Sequence, residues 1–432
     1  MQQLFLMSGI FLLLACYIRS KNIFSPSCIF CFMFILCAGF CHYASSMWRF
    51  RLSLKGFSIL LAGMLAFVCS SLGVQSLFKK TNRDFLTSQE NVNKAFVVSK
   101  SMIVPFLIVF FGISLLYYFL LCRVTGTSGL NVTAIFRYSK KVEMNSLGRV
   151  SLTILRAFST AVCVILVNNY FAKAFKKNYG IALCLCVVTY AFLTLLSGER
   201  TSVVRIVGIV FISFGVFWKR RNPKKIFPVK YLVIGVLAFL GMLYGFSAIR
   251  FFVGRSSQLG LVDYLAFYFG SPLYNFDYGI NHSYYLKINK GHTFLGLTNN
   301  LARLGIGKLT SVHRVNITNN VRNIFFGNTY TCMFDYYADF GMIGVIVLMA
   351  IFGMFITYLY CSAMYSSKNT IYKTAVYAFF GTAVIFAAFT EQLYGTYIAV
   401  STIVALISIR LVLILLKSKI TRKLKIKVGK LE

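Results

Sequence analysis

The feature that most constrains this chain is the repetition of apolar runs long enough to cross a bilayer. A spanning helix needs about 20 mostly apolar residues, within a range of about 17–25. Such runs lie near 2–18, 27–45, 57–77, 101–122, 150–170, 179–197, 203–218, 229–247, 335–361, 374–390 and 394–416. Irregular backbone and open strands cannot face lipid, so each run is expected as a helix. The 432 residues are 58% hydrophobic and only 13% charged, whereas a soluble chain averages about 45–50% and about 25%. The expected fold class is therefore all-α: a polytopic transmembrane helical bundle of about 11–12 spans with one long external loop. Helices one to eight fall in 1–247, the loop in 248–329, helices nine to eleven in 330–416 and a basic tail in 417–432. Residues 123–149 could add an interfacial helix, with Arg137, Lys140 and Lys141 on its polar face.

The net charge of +35 is placed in short runs between apolar segments, such as Lys219-Arg220-Arg221 and the tail from Lys417 to Lys430. A nucleic-acid protein would gather that charge on a soluble domain. Here it follows the positive-inside pattern of cytoplasmic loops, so no nucleic-acid partner is expected. The tail, 362–373, 219–230 and 171–178 are rich in Lys and Arg, whereas 198–202 carries only Arg200 and 391–393 none. The tail is thus expected in the cytoplasm and the long loop outside. Loop 46–56, with Arg49, Arg51 and Lys55, faces outward in an eleven-helix count, against the rule. A twelve-helix count with both ends inside is the rival. Leu13-Leu14-Ala15-Cys16 has the form of a lipoprotein cleavage box, but no Lys or Arg precedes the run, so it is expected as an uncleaved first helix. The CxxC of Cys28 and Cys31, with Cys41-His42, lies in a membrane-length run without a second CxxC. These cysteines are expected as small buried hydrophobes, not metal ligands. No metal and no cofactor are expected.

The polar chemistry is concentrated between Ala248 and Thr329. That stretch holds Arg250, Arg255, Lys287, Lys290, Arg303, Lys308, Arg314 and Arg322, three of the 4 histidines (His282, His292, His313), and Asp263 and Asp277. Arginines also occur inside the helices themselves. Arg156 lies seven residues past Arg149 in the fifth run and Arg205 five past Arg200 in the seventh, roughly 7–11 Å below the outer boundary. Arg250 and Arg255 close the eighth. Snorkelling to headgroups suits Arg410 near the other boundary. So many arginines at one depth favour an anion site, because guanidinium grips phosphate through paired hydrogen bonds. Tyr264, Phe267, Tyr268, Phe269, Tyr274 and Phe276 suit an interfacial belt, with Tyr also suited to a sugar face. Asn299-Asn300 and the asparagines between Asn316 and Asn323 offer partners for hydroxyls.

Three segments together resemble the bacterial Wzy-type oligosaccharide repeat-unit polymerases, the O-antigen and capsule polymerase family. They are the SGERTS turn at 197–202, YFGSPLYNFDYG at 268–279 and NTYTCMFDYYADFGMIG at 328–344, the last through Asp335, Asp339, Gly341 and Gly344. The plan of many spans, one long external loop and a basic cytoplasmic end is also similar. The resemblance implies a multi-pass protein of the bacterial inner membrane. It would move a growing glycan from undecaprenyl diphosphate onto the acceptor sugar of a new lipid-linked unit, at the periplasmic face. Lipid-linked donor and acceptor, membrane lipid and a chain-length regulator protein are the partners it implies.

A diphosphate leaving group calls for guanidinium as charge develops; the expected binding residues are Arg200, Arg250, Arg255, Arg156 and Arg205, with Asp339 and Tyr274. The attacking hydroxyl calls for a base. His313, beside Arg314, and His282, five residues after Asp277, are the candidates, with His292 third. Asp277, Asp335, Asp339 and Glu391 are alternative bases or anchors for the arginines. The long loop has no DxD pair, so an arginine-held diphosphate is favoured over a metal-held one. A flippase for the same lipid-linked sugars and the ligase that joins polymer to lipid A core are the alternatives.

Overall fold

The computed structural model describes residues 1–81, 94–127, 144–176, 179–228, 260–308, 317–319, 324–366 and 368–417, with single positions 135, 235 and 241. The expected eighth helix at 229–247, most of the basic tail, His313, Arg250 and Arg255 lie outside the described residues. Among the described residues the chain is an all-α, multi-pass membrane protein. Its helices are α1 (Gln2–Ser20), α2 (Pro26–Tyr43), α3 (Ser45–Trp48), α4 (Leu54–Thr81), α5 (Lys100–Thr125), α6 (Ser146–Phe171), α7 (Gly180–Leu196) and α8 (Arg200–Arg221). There follow α9 (Leu261–Asn281), α10 (Ser283–Ile288), α11 (Leu295–Arg303), α12 (Cys332–Met364), α13 (Thr370–Phe386) and α14 (Val400–Leu416). Seven of them (α1, α2, α4, α5, α6, α8, α12) are long and apolar enough to cross a membrane, and α7, α13 and α14 are shorter apolar helices. The strands β1 (Ile317–Asn319) and β2 (Ile324–Gly327) pair antiparallel.

The two ends of the bundle differ in charge for a physical reason. The helices alternate in direction, and α1, α4, α6, α8, α12 and α14 all finish at one end. A helix leaves its last carbonyls unpaired and partially negative, and basic side chains from neighbouring helices complete them. Lys79 donates to Arg19 O at 3.1 Å, Arg220 to Ala363 O and Met364 O at 2.9 and 2.7 Å, and Arg221 to Phe171 O. Ser99 N donates to Leu416 O at 2.8 Å, beside the Val98–Lys417 bridge. All the described acids (Glu199, Asp263, Asp277, Asp335, Asp339, Glu391) lie at the other end. Ser53 and Lys55 meet Asp277 and Ile280 there, so the basic loop after α2 shares an end with the described part of the long polar stretch.

The described part of that polar stretch is largely helical and docked into the bundle. In α9 the residues Leu265, Ala266, Phe269, Leu273, Phe276 and Ile280 recur at helical spacing and are all buried. The stripe packs on the end of α2, with Phe269 stacked on Phe40 at 5.4 Å. Asp263, Asn275 and Asp277 interrupt the apolarity of α9, which is why it reads as loop when hydropathy alone is followed. Asn275 donates to Phe326 O and Thr329 O at 3.2 and 2.8 Å. Phe326 then sits 4.0 Å from the Tyr274 ring and 5.0 Å from Trp48, which pins the hairpin to the bundle.

The largest departure from a simple up-and-down bundle lies in α12. Its residue Gly341 has φ 65 and ψ −157, a region open essentially only to glycine. The chain reverses there. Cys332 Sγ approaches Met349 Sδ at 3.7 Å, although a straight helix would hold those residues about 25 Å apart. Limb 332–340 therefore runs back alongside limb 342–364 as a re-entrant hairpin, with Gly344 against Phe340 and Tyr336 O.

Candidate functional site

A buried polar layer forms where several chain segments stop short of the acidic end. Helices α13 and α14 have 17 residues each, about 25 Å of rise, and their connection folds into the bundle as a π-turn at Leu393–Tyr397. Counting back along α6 and α8 from the basic end places Arg156 and Arg205 at about the same height, roughly 22–24 Å. The re-entrant limb arrives beside them, with Cys332 N donating to Ala387 O at 2.9 Å.

Arg156 and Arg205 are the centre of this layer. Arg156 pairs with Glu199 at 3.9 Å and stands within hydrogen-bonding reach of Tyr190. Glu199 also accepts from Ser202 Oγ at 2.7 Å. Arg205 is 8% exposed, donates to the side-chain oxygen of Gln392 and lies 5.7 Å from the Phe386 ring centroid. The two guanidinium groups are close enough to repel each other, and Tyr397 is near both. Each Nε is buried without a hydrogen-bond partner among the described residues. Two partly desolvated cations facing one carboxylate leave a net positive site, which an incoming anion would relieve.

The carboxylates expected to act as bases or to hold the arginines have other partners. Glu391 accepts from the N–H groups of Tyr394 and Gly395 and from Tyr336 OH at 3.2 Å. It caps the π-turn and so aims the adjacent Gln392 at Arg205. Asp335 is fully buried one turn from Cys332. Asp339, at the outer end of the re-entrant limb, accepts from Gly291 N and, at 3.0 Å, from Thr293 N. It clips the segment before α11 over the π-turn, where Gly296 lies so close to Gly395 O that a Cβ would come within 2.7 Å.

Asp277 forms a second buried centre, between α9 and the start of α4. It accepts from Ser53 N and Ser53 Oγ, while Ser53 Oγ caps Gly56 N at 2.9 Å. The pair is the N-terminal cap of α4 and the lock between α4 and α9. Burial pushes the Asp277 carboxyl up, opposed by the Ser53 hydrogen bonds. His282 is exposed, donates through Nδ1 to Tyr278 O at 2.7 Å and stacks on the Tyr278 ring at 4.0 Å. Tyr274 is 6% exposed between Phe326, Trp48 and Tyr278, inside an aromatic core and closed to a sugar face. His292 is buried and donates to Asn289 O at 2.7 Å.

Of the expected site residues, the structure brings together Arg156 and Arg205. It places Asp277, His282 and Tyr274 in a separate group around α9 and sets Asp339 in a structural clip. Arg200 opens α8, and its side chain lies outside the described residues, as do Arg250, Arg255 and His313. Glu199, Gln392, Tyr190 and Tyr397 were not singled out from sequence. Glu199 stands inside the SGERTS turn, and Gln392 follows a flagged acid, but Tyr190 and Tyr397 carry no signal beyond an aromatic in an apolar run. The cysteines Cys28, Cys31, Cys37 and Cys41 are all buried along α2. Among the described residues no three His, Cys, Asp or Glu side chains gather as a set of metal ligands. No family model, no curated protein and no solved structure matches this chain.

Proposed function

We propose that this protein polymerises oligosaccharide repeat units carried on undecaprenyl diphosphate, at the periplasmic face of the bacterial inner membrane, as an O-antigen or capsule polymerase. The observation that carries the reading is the convergence of Arg156 and Arg205, from two helices, on one buried layer, with both Nε atoms unpartnered among the described residues. A diphosphate leaving group gains negative charge as its glycosidic bond breaks, and fixed guanidinium groups stabilise that charge best in a site poor in water. In this reading the acidic end faces the periplasm, the C-terminus is cytoplasmic, and the run at 229–247 supplies the eleventh span. The long stretch at 248–329 is the external element over the site. The three motif segments lie on this side as well: the SGERTS turn holds Glu199, and the re-entrant limb carries Asp335 and Asp339.

A second reading has its own support. Helices broken inside the bundle, as at Gly341 and between α13 and α14, are the way transporters expose backbone to a bound ion or headgroup, which favours a flippase for the same lipids. Purified protein in vesicles, given lipid-linked repeat units without ATP or nucleotide sugar, separates the two. Extension to a ladder is the expected result. Movement of the lipid across the bilayer without extension would replace the polymerase with the flippase. Transfer only to lipid A core would replace it with the ligase.

A further inference from the structure

We propose that residues 295–308 form an in-plane membrane anchor, with Leu304 and Ile306 among lipid acyl chains and Arg303 and Lys308 at anionic headgroups. Leu304 is 75% exposed and Ile306 62% exposed. They are held out by Gly305 and Gly307, each at φ 85, a left-handed backbone that glycine adopts without strain. Two aliphatic side chains presented to water at the tip of a turn gain nothing there, whereas an acyl layer takes their apolar surface out of water.

The position of the segment argues for lipid as the occupant. Helix α11 rests on the π-turn between α13 and α14, with Gly296 against the backbone of 395–398. Phe294 meets Phe340 at 6.2 Å. Phe340 and Ile343 at the top of α12, and Val400 and Ile403 at the top of α14, are all more than half exposed, as bilayer-facing side chains of spanning helices are. Segment 295–308 thus continues an established lipid-facing surface. Because α14 rises about 25 Å from the basic end, what sits on it lies near the edge of a hydrocarbon core about 30 Å thick.

Charge points the same way. Between Tyr278 and Phe334 the sequence has no Asp or Glu, while Lys287, Lys290, Arg303, Lys308, Arg314 and Arg322 fall within it. An acid-free segment with apolar side chains bracketed by cations matches an anionic membrane surface, which attracts each basic residue close to it. The proposal stands independently of glycan transfer, since it concerns only where these side chains sit.

The test uses the full chain in nanodiscs of phosphatidylethanolamine and phosphatidylglycerol, with either ordinary or dibrominated acyl chains. The native Trp48 and Trp218 are buried, so Leu304→Trp and Ile306→Trp add a distinguishable signal. Blue-shifted emission, lost in brominated nanodiscs beyond the loss seen for the unsubstituted protein, is expected. Quenching by aqueous acrylamide instead would place the tip in water and overturn the proposal. Quenching by neither would place it under protein and overturn it equally. Trypsin gives a second readout that needs no new aromatic. Cleavage after Arg303 and Lys308 should be slow in nanodiscs and faster in a Leu304→Asp/Ile306→Asp variant; equal rates would also overturn the anchor.

Discussion

Arg156 and Arg205 have different supports, and substitutions should separate them. Arg156 leans on Glu199 and Arg205 on Gln392. If these guanidinium groups stabilise a leaving diphosphate, Arg156→Lys and Arg205→Lys keep the charge and lose the paired donors. Loss of one such stabilising contact costs roughly 10²–10³-fold in rate, so glycan ladders should shorten sharply while membrane abundance holds. Arg410→Lys is the control: that side chain is exposed and lies 4.8 Å from the Tyr372 ring, away from the polar layer, and its ladder should be unchanged. The base is tested on the same assay. General-base assistance is worth about 10²–10⁴-fold, so His313→Ala or His282→Ala should leave single-unit product and little polymer, and His42→Ala in α2 should do neither. Full tolerance at His282, His292 and His313 would move the role to a carboxylate. Asp277→Asn is then the test, read together with membrane abundance because the same carboxylate locks α4 to α9 through Ser53.

At the scale of elements, two reversals set the height of the polar layer. The hairpin in α12 depends on one backbone conformation at Gly341. Gly341→Ala should cost about 1–3 kcal/mol, read as a lower midpoint of thermal unfolding in detergent, and should dislodge Asp339 from Gly291 and Thr293. The α4–α9 lock is a separate device. Ser53→Ala removes a helix cap worth about 1 kcal/mol, and Asp277→Ala leaves the Ser53 N–H unpaired, costing about 1–3 kcal/mol. Since both act through one hydrogen-bonded pair, the double substitution should cost less than the sum of the two.

The whole molecule is organised by alternating helix direction and by charge separated between its ends. Labelling of single cysteines introduced at 222 and 368 should report the cytoplasm, and at 290 and 316 the periplasm. A cytoplasmic result at 290 would invert the molecule and place the arginine layer at the wrong face for lipid-linked repeat units.

Much of this plan is legible along the sequence, because bilayer thickness sets the length of an apolar run and the surface of the helix sets its composition. The helices, their order and the depth of Arg156 and Arg205 are all quantities of one dimension, and a linear chain carries them directly. Helix α9 is only half legible: its buried stripe is present at helical spacing, but Asp277 and Asn275 look like loop residues until Ser53, Phe326 and Thr329 are found as their partners. The reversal at Gly341 is not legible at all, since Cys332–Met364 reads as one continuous apolar helix and glycine permits the turn without requiring it. Which side chain meets which across the bundle is equally a matter of packing. Glu199 meets Arg156 and Gln392 meets Arg205 only because two short helices and a folded-back limb bring distant segments to the same height, and contacts between segments so far apart in the chain exist only once the bundle has closed.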